Sequence, residues 1–284
     1  MYKIFHLFNF LFIFFILNSN YSFANVEKSQ GIDQVFYSNM LPKHQSTAWA
    51  VRYRVTLPKG YDSDQVHSVV YFLHGRNGNR YFLENLGILE QLDILSNDNK
   101  INFIIVSPEC GNCYWMNAAL IDERWGDVVT QELIADVEKK YFVYHEPAGR
   151  LLAGISMGGH GAIQLVLNNP HIYGAVAAHS PVFRTQEETS RDYYEQFGTG
   201  DAFQNRDPFS LIKVKRKRMT IPLWIDIGGA DFAFKNTKNF ANLLQTLGSI
   251  GEQHIGEDQT GDHSNRYWSF YLHSYLEWYL KKLK

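Results

Sequence analysis

The sequence of 284 residues has only two cysteines, Cys110 and Cys113, which bracket Gly111-Asn112. So few cysteines exclude a disulfide framework, and we find no further ligands at a spacing that would make the pair a metal site. In an exported protein the two thiols would form a small local disulfide. A redox-active pair is the alternative, but the pair follows a Ser-Pro-Glu loop and does not open an obvious helix. We expect no metal and no cofactor.

An excess of charge of one sign is also missing. Lys and Arg number 27 against 29 Asp and Glu, which gives a net charge of −2. Nucleic acid is therefore not an expected partner. The chain also lacks internal repeats and low-complexity linkers, and its length suits one α/β domain over residues 25–284.

Long apolar runs are absent after the N-terminus. The apolar run at residues 5–17 spans about 13 residues, short of the roughly 20 that cross a bilayer. Lys3 precedes this run and Ser22-Phe23-Ala24 follows it, so residues 1–24 predict a cleaved signal peptide; an uncleaved anchor is the alternative. We expect an exported protein, periplasmic or secreted, with no stable membrane insertion after cleavage.

Strand patterns alternate with helix patterns along the rest of the chain, which predicts a mainly parallel central sheet flanked by helices. Residues 25–47 are polar and weakly patterned, and residues 183–218 form a long irregular stretch. That stretch is either a small cap insertion over the site or a surface excursion. The predicted strands cover residues 50–57, 68–73, 101–106, 150–153, 174–178, 221–227 and 253–255, and the predicted helices cover 83–96, 123–140, 158–168, 237–247 and 267–282.

The motif Gly154-Ile155-Ser156-Met157-Gly158 lies between a predicted strand and a predicted helix. A G-x-S-x-G sequence in this context is typical of a nucleophile elbow, in which a sharp turn presents the serine above the sheet. Gly154 and Gly158 lack the Cβ atoms that would collide with the turn. Ser156 is therefore the candidate nucleophile.

A serine hydroxyl needs a base, and the base needs a carboxylate to orient it. In α/β-hydrolases these follow in the order Ser, Asp or Glu, His. His263 precedes the last helix and is preferred over His254 and His273. It is also preferred over His171 and His179, which come before any late acid. Asp231 follows the strand over 221–227 and is preferred over Asp226, which lies within it, and over Asp262, which is adjacent to His263. For the oxyanion, the candidate donors are the main-chain N–H groups of Met157 and Arg76, while His74 is expected to brace the loop.

These residues resemble the esterase D-like branch of the α/β-hydrolases, which includes S-formylglutathione hydrolases, feruloyl and acetylxylan esterases and mycolyltransferases. The resemblance covers roughly residues 52–279. It implies an α/β-hydrolase fold, a Ser156–Asp231–His263 triad and an oxyanion hole at Arg76 and Met157. It is carried by the stretches at residues 71–75, 154–162, 227–232 and 261–264, by Trp268, and by Phe197-Gly198 with Asp207-Pro208.

The resulting hypothesis is an exported serine esterase that hydrolyses short acyl or aryl carboxylic esters through an acyl-enzyme. An acyltransferase acting on a sugar or lipid hydroxyl is the close alternative, and a non-catalytic binding protein is a third. The expected partner is a small-molecule, carbohydrate or lipid ester. The sequence does not specify the substrate's acyl and alcohol parts or the oligomeric state.

Overall fold

An eight-stranded sheet forms the centre of the computed structural model, which describes residues 26–42, 49–185, 190–249 and 251–284. The strands are β1 (Gln30–Ser38), β2 (Trp49–Leu57), β3 (Ser68–Leu73), β4 (Phe103–Pro108), β5 (Arg150–Ile155), β6 (Ala175–His179), β7 (Leu223–Ile227) and β8 (Gly251–Ile255). Their order across the sheet is β1-β2-β4-β3-β5-β6-β7-β8. The pairs β1–β2 and β2–β4 are antiparallel, and all other pairs in this sheet are parallel.

Helices cover both faces of this sheet, so β3, β4, β5, β6 and β7 are buried along their whole length. The helices are α1 (Phe82–Asn85), α2 (Ile88–Asp98), α3 (Trp125–Asp127), α4 (Leu133–Lys140), α5 (Met157–Asn168), α6 (Arg191–Phe197), α7 (Asp201–Gln204), α8 (Pro208–Lys213), α9 (Phe234–Thr246) and α10 (Asn265–Lys282). Helices α4, α5 and α9 contribute apolar residues to one face of the sheet, and α2 and α10 contribute them to the other. A π-helical turn, Val128–Glu132, joins α3 to α4.

The predicted mainly parallel α/β sheet flanked by helices is confirmed, with corrections at single elements. The polar residues 25–47 contain β1, which pairs with β2 at the edge of the sheet and has mostly exposed or half-buried side chains. The helix predicted over residues 83–96 is two helices, because Gly87 has a φ of 90° between them. The predicted signal peptide over residues 1–24 lies outside the described residues.

The stretch over residues 183–218 is less irregular than predicted, since it contains α6, α7 and α8. It packs on the segment after the disulfide, where the N–H of Ala119 donates to the carbonyl of Gln196 at 3.0 Å. The Arg206 guanidinium donates to the carbonyl of Asn117 at 2.7 Å. The ring of Phe197 lies 5.3 Å from that of His160 on α5. These contacts fix the insertion to the start of α5, beside the elbow.

Candidate active site

Ser156 stands at the turn between β5 and α5, with φ 58° and ψ −114°. A non-glycine residue at such angles is strained and is held there by its surroundings. A Cβ atom on Gly154 would collide with the backbone of Gly158, and one on Gly158 would collide with the carbonyl of Leu73. Both glycines of the motif are therefore required by close backbone approach.

His263 links Ser156 to Asp231. Its Nε2 lies 2.8 Å from the Ser156 Oγ, and its Nδ1 lies 2.7 Å from an Asp231 carboxylate oxygen. Because a carboxylate only accepts hydrogen bonds, Nδ1 carries the proton and Nε2 accepts from the serine hydroxyl. The structure thus brings the three predicted residues together in one hydrogen-bonded series.

The loops that carry Asp231 and His263 are joined to each other. The N–H of Ala230 donates to the carbonyl of Gly261 at 3.0 Å, and the N–H of Ala233 donates to the second Asp231 oxygen at 2.8 Å. A Cβ atom on Gly228 would collide with the backbone of Gly261. The glycines after β7 therefore allow the acid and the base to meet.

Asp226, the rival acid, lies within β7 and contacts a different histidine. Its carboxylate lies 2.6 Å from Nδ1 of His179, and both side chains are buried. Alternation of side chains along a strand accounts for this separation from His263. Asp262, the other rival, accepts instead from the Ser264 hydroxyl.

The candidate oxyanion donors come from the loop after β3 and from the start of α5. Met157 is the first residue of α5, where main-chain N–H groups have no acceptor within the helix. Arg76 follows Gly75, and a Cβ atom on Gly75 would lie only 3.2 Å from the Cβ of Ser156. Within the described ranges the N–H of Arg76 has no acceptor. The exposed Arg76 side chain lies 3.7 Å from Asp192 of the insertion.

His74 lies in the loop before Arg76, and its ring hydrogen-bonds to main-chain groups other than those of Ser156. Its Nδ1 donates to the Gly75 carbonyl at 2.7 Å, and its Nε2 accepts from the N–H of Cys110 at 3.3 Å. Burial lowers the pKa of His74, because the charged imidazolium is poorly solvated there. A neutral, doubly bonded imidazole suits the bracing role expected for it. Cys110 and Cys113 form a disulfide beside this loop.

Two aromatic residues lie beside His263, and no role was predicted for either of them from the sequence. The ring of Phe232 lies 4.6 Å from the His263 ring and is 73% exposed. Trp268 meets His263 edge-on at 5.0 Å and donates from Nε1 to the Ser180 Oγ at 3.0 Å. Phe232 directly follows Asp231, and Trp268 lies in the first turn of α10, close to His263 in sequence. These positions beside two predicted triad residues could have indicated a place at the site. Trp268 therefore packs against the ring of the candidate base, and Phe232 adds an exposed apolar ring beside it.

No group of three or more His, Cys, Asp or Glu side chains within the described ranges is arranged to hold a metal ion. Nor does any helix in the part of the chain described above combine the length and apolar character needed to cross a membrane.

A family model described as "Putative esterase" matches residues 44–279. The chain belongs to this esterase family. Membership supports hydrolysis of carboxylic esters, as the resemblance of the motifs implied.

An acetyl esterase of Caldicellulosiruptor saccharolyticus is 24% identical over 266 residues, which cover 87% of this chain and 96% of the relative. A solved ferulic acid esterase superimposes with a TM-score of 0.74 at 21% identity, covering 90% of this chain and 99% of the other. An S-formylglutathione hydrolase from Agrobacterium tumefaciens gives 0.73 at 19% identity, covering 91% and 97%. The structural likenesses establish the α/β-hydrolase fold.

Proposed function

We propose that this esterase acts through an acyl-enzyme on Ser156, with His263 as general base and Asp231 as its orienting acid. The observation that carries the proposal is the pair of hydrogen bonds in series, 2.8 Å from His263 to Ser156 and 2.7 Å from His263 to Asp231. A serine hydroxyl is a weak nucleophile until a neighbouring base takes its proton, and this geometry supplies that base.

In the first half-reaction the Ser156 Oγ attacks the ester carbonyl while Nε2 of His263 takes the hydroxyl proton. His263 then returns the proton to the leaving alcohol, and the C–O bond to that alcohol breaks. The buried Asp231 carboxylate holds the imidazole tautomer and stabilises the imidazolium that forms between these steps.

The tetrahedral intermediates carry a negative oxygen, for which the N–H groups of Arg76 and Met157 are the proposed donors. Arg76 lies on the loop after β3, and Met157 is the first residue of α5, whose dipole places its positive end at Ser156. Fixed donors in such a site stabilise the developing charge without reorganisation.

Water activated by His263 then releases the acid from the acyl-enzyme. We propose a short acyl or aryl ester as substrate, because the exposed Phe232 ring beside His263 offers an apolar surface of about one ring. Export to the periplasm or the medium is also a proposal, supported by the pattern of residues 1–24.

The test is hydrolysis of p-nitrophenyl esters of increasing acyl length by the purified protein and by Ser156→Ala. We expect the variant to lose several orders of magnitude in kcat, since removing a triad nucleophile has that effect. Equal turnover by both proteins would contradict Ser156 as nucleophile. Products are also analysed with a sugar acceptor present, because a transesterified product forming faster than free acid would replace hydrolysis by acyl transfer.

A further inference from the structure

The segment Cys110–Trp115, here called the disulfide segment, lies against the loop His74–Gly78 that carries Arg76. We propose that the disulfide segment positions this loop for catalysis and that Asn112 is a positioning residue for the Arg76 N–H. The inference rests on the proposed function, in which Arg76 donates to the oxyanion, and it assigns a role to residues that no step of the mechanism uses.

Asn112 makes two reciprocal hydrogen bonds with the residue after Arg76. The Asn77 N–H donates to the Asn112 Oδ1 at 2.8 Å, and the Asn112 Nδ2 donates to the Asn77 Oδ1 at 3.0 Å. Asn77 has a φ of 59°, an uncommon angle for a residue with a side chain. Asn112 thus fixes the main chain on the C-terminal side of Arg76.

The same segment holds the loop on the N-terminal side of Arg76. The Cys110 N–H donates to Nε2 of His74 at 3.3 Å, and Nε1 of Trp115 donates to the His74 carbonyl at 3.0 Å. Contacts on both sides restrict the Gly75–Arg76 peptide, whose N–H is the proposed oxyanion donor. Inside the loop the Gly75 carbonyl accepts from Nδ1 of His74 at 2.7 Å and from the N–H of Gly78 at 3.0 Å.

The disulfide segment is itself firmly held. The disulfide closes its first four residues, and the Trp115 N–H donates to the Cys113 Sγ at 3.2 Å. Tyr114 and Trp115 both have positive φ, 51° and 57°, and such backbone persists only where surroundings impose it. Trp115 is fully buried and lies against α5 at Gly161. A Cβ atom added to Gly161 would lie only 2.6 Å from the Cβ of Trp115.

A rigid support is needed here because Arg76 and Asn77 are themselves exposed. An oxyanion donor acts through its fixed distance to the developing charge, and a misplacement of about 1 Å costs on the order of 100-fold in rate. The disulfide segment supplies that fixed distance by tying the loop to α5.

The test compares Asn112→Leu, which removes both hydrogen bonds, with Asn112→Asp, which keeps the acceptor for the Asn77 N–H. Asn242→Ala, at an exposed position on α9, is the matched control. We expect Asn112→Leu to lower kcat about 10- to 100-fold with KM and the melting temperature unchanged. Its affinity for a trifluoromethyl ketone, whose adduct with Ser156 carries an oxyanion, should fall by the same factor. Asn112→Asp should recover most of the loss.

A change in KM alone, a loss of kcat that follows a loss of stability, or behaviour like that of Asn242→Ala would overturn the proposal. Hydrogen exchange of residues 74–79 provides a readout that needs no turnover. Exchange should accelerate in Asn112→Leu and, to a smaller extent, in the double variant Cys110→Ser/Cys113→Ser. Unchanged exchange in Asn112→Leu would refute the positioning role even if Ser156→Ala abolishes activity. Faster exchange would show that Asn112 restrains the Arg76 loop even if Ser156 proved not to be the nucleophile, so the two proposals can fail separately.

Discussion

The Asp226 carboxylate accepts a hydrogen bond of 2.6 Å from Nδ1 of His179 beneath the nucleophile elbow. The carbonyl of the same His179 accepts the N–H of Ser156 at 2.9 Å, so this buried pair supports the turn that presents the serine. Further donors complete the carboxylate's hydrogen bonds: Nε1 of Trp224 and the hydroxyls of Tyr267 and Tyr275. Among the residues that the structure describes there are therefore two Asp–His pairs, one at the site and one in the core.

The two aspartates should respond oppositely to the same change. Asp231→Asn should lower kcat by roughly 10⁴-fold with little loss of stability, because an amide favours the wrong His263 tautomer. Asp226→Asn should change kcat by less than about 10-fold in the folded protein. It should lower the free energy of unfolding by about 3 kcal/mol, because the amide cannot accept from all the buried donors.

Steady-state kinetics and urea unfolding of both variants make the comparison. Each variant serves as the control for the other, since the substitution is the same and only the partner histidine differs. A larger loss of kcat in folded Asp226→Asn than in Asp231→Asn would reverse the assignment of the acid.

Phe232 should determine acyl preference. Its ring is 73% exposed beside His263, so its removal costs little folding energy but removes an apolar surface at the site. We expect Phe232→Ala to raise KM for aryl and longer acyl p-nitrophenyl esters about 5-fold, equivalent to about 1 kcal/mol, and to leave acetate nearly unchanged. Phe270→Ala is the control, because Phe270 is 77% exposed and its ring contacts Tyr271. Equal changes in KM for Phe232→Ala and Phe270→Ala would show that Phe232 does not determine the acyl preference.

Gly75 sets the distance between the Arg76 loop and the nucleophile. An added Cβ would lie 3.2 Å from the Ser156 Cβ and 3.4 Å from the Ile155 carbonyl oxygen, so the loop must retreat by a few tenths of an ångström. We expect Gly75→Ala to lower kcat/KM about 10-fold, because the N–H of Arg76 moves with the loop. Thermal unfolding should show a nearly unchanged midpoint. If Gly75→Ala keeps the kcat/KM of the wild type, this loop does not set the distance to the reacting carbonyl.

The elements nearest the site were predicted best from the sequence. The apolar run of β3 and the glycines around Ser156 encode their structure locally, and the predicted strand over residues 68–73 has the observed bounds. The order Ser, Asp, His gave three residues that the structure brings within hydrogen-bond distance.

Features that depend on distant contacts were missed. β1 has little alternation of its own, because it is an edge strand whose side chains are mostly not buried. The hydrogen bonds between Asn112 and Asn77 join residues 35 positions apart. The sequence around either asparagine contains no pattern that predicts these bonds. The same holds for the Asp226–His179 pair, which required the register of β6 against β7.

His160 should make the fold sensitive to acid. Burial lowers its pKa from 6.5 to about 4, because its ring lies among those of Phe183 and Phe197 and near the Arg184 cation. Between about pH 6.5 and 4 the unfolded chain binds a proton that the folded chain does not, so the free energy of unfolding falls as the pH falls through that window. The full effect corresponds to about 3 kcal/mol.

His160→Gln isolates this contribution, because a glutamine can still donate to the Arg206 carbonyl that Nε2 of His160 contacts, yet it does not titrate. Urea unfolding at pH 7 and pH 4.5 should show that the wild type loses about 2 to 3 kcal/mol more stability than the variant between these values. His171→Gln, at an exposed position, is the control and should follow the wild type. Parallel losses in wild type and His160→Gln would place the acid sensitivity in other groups, such as the buried His74, whose pKa is also lowered.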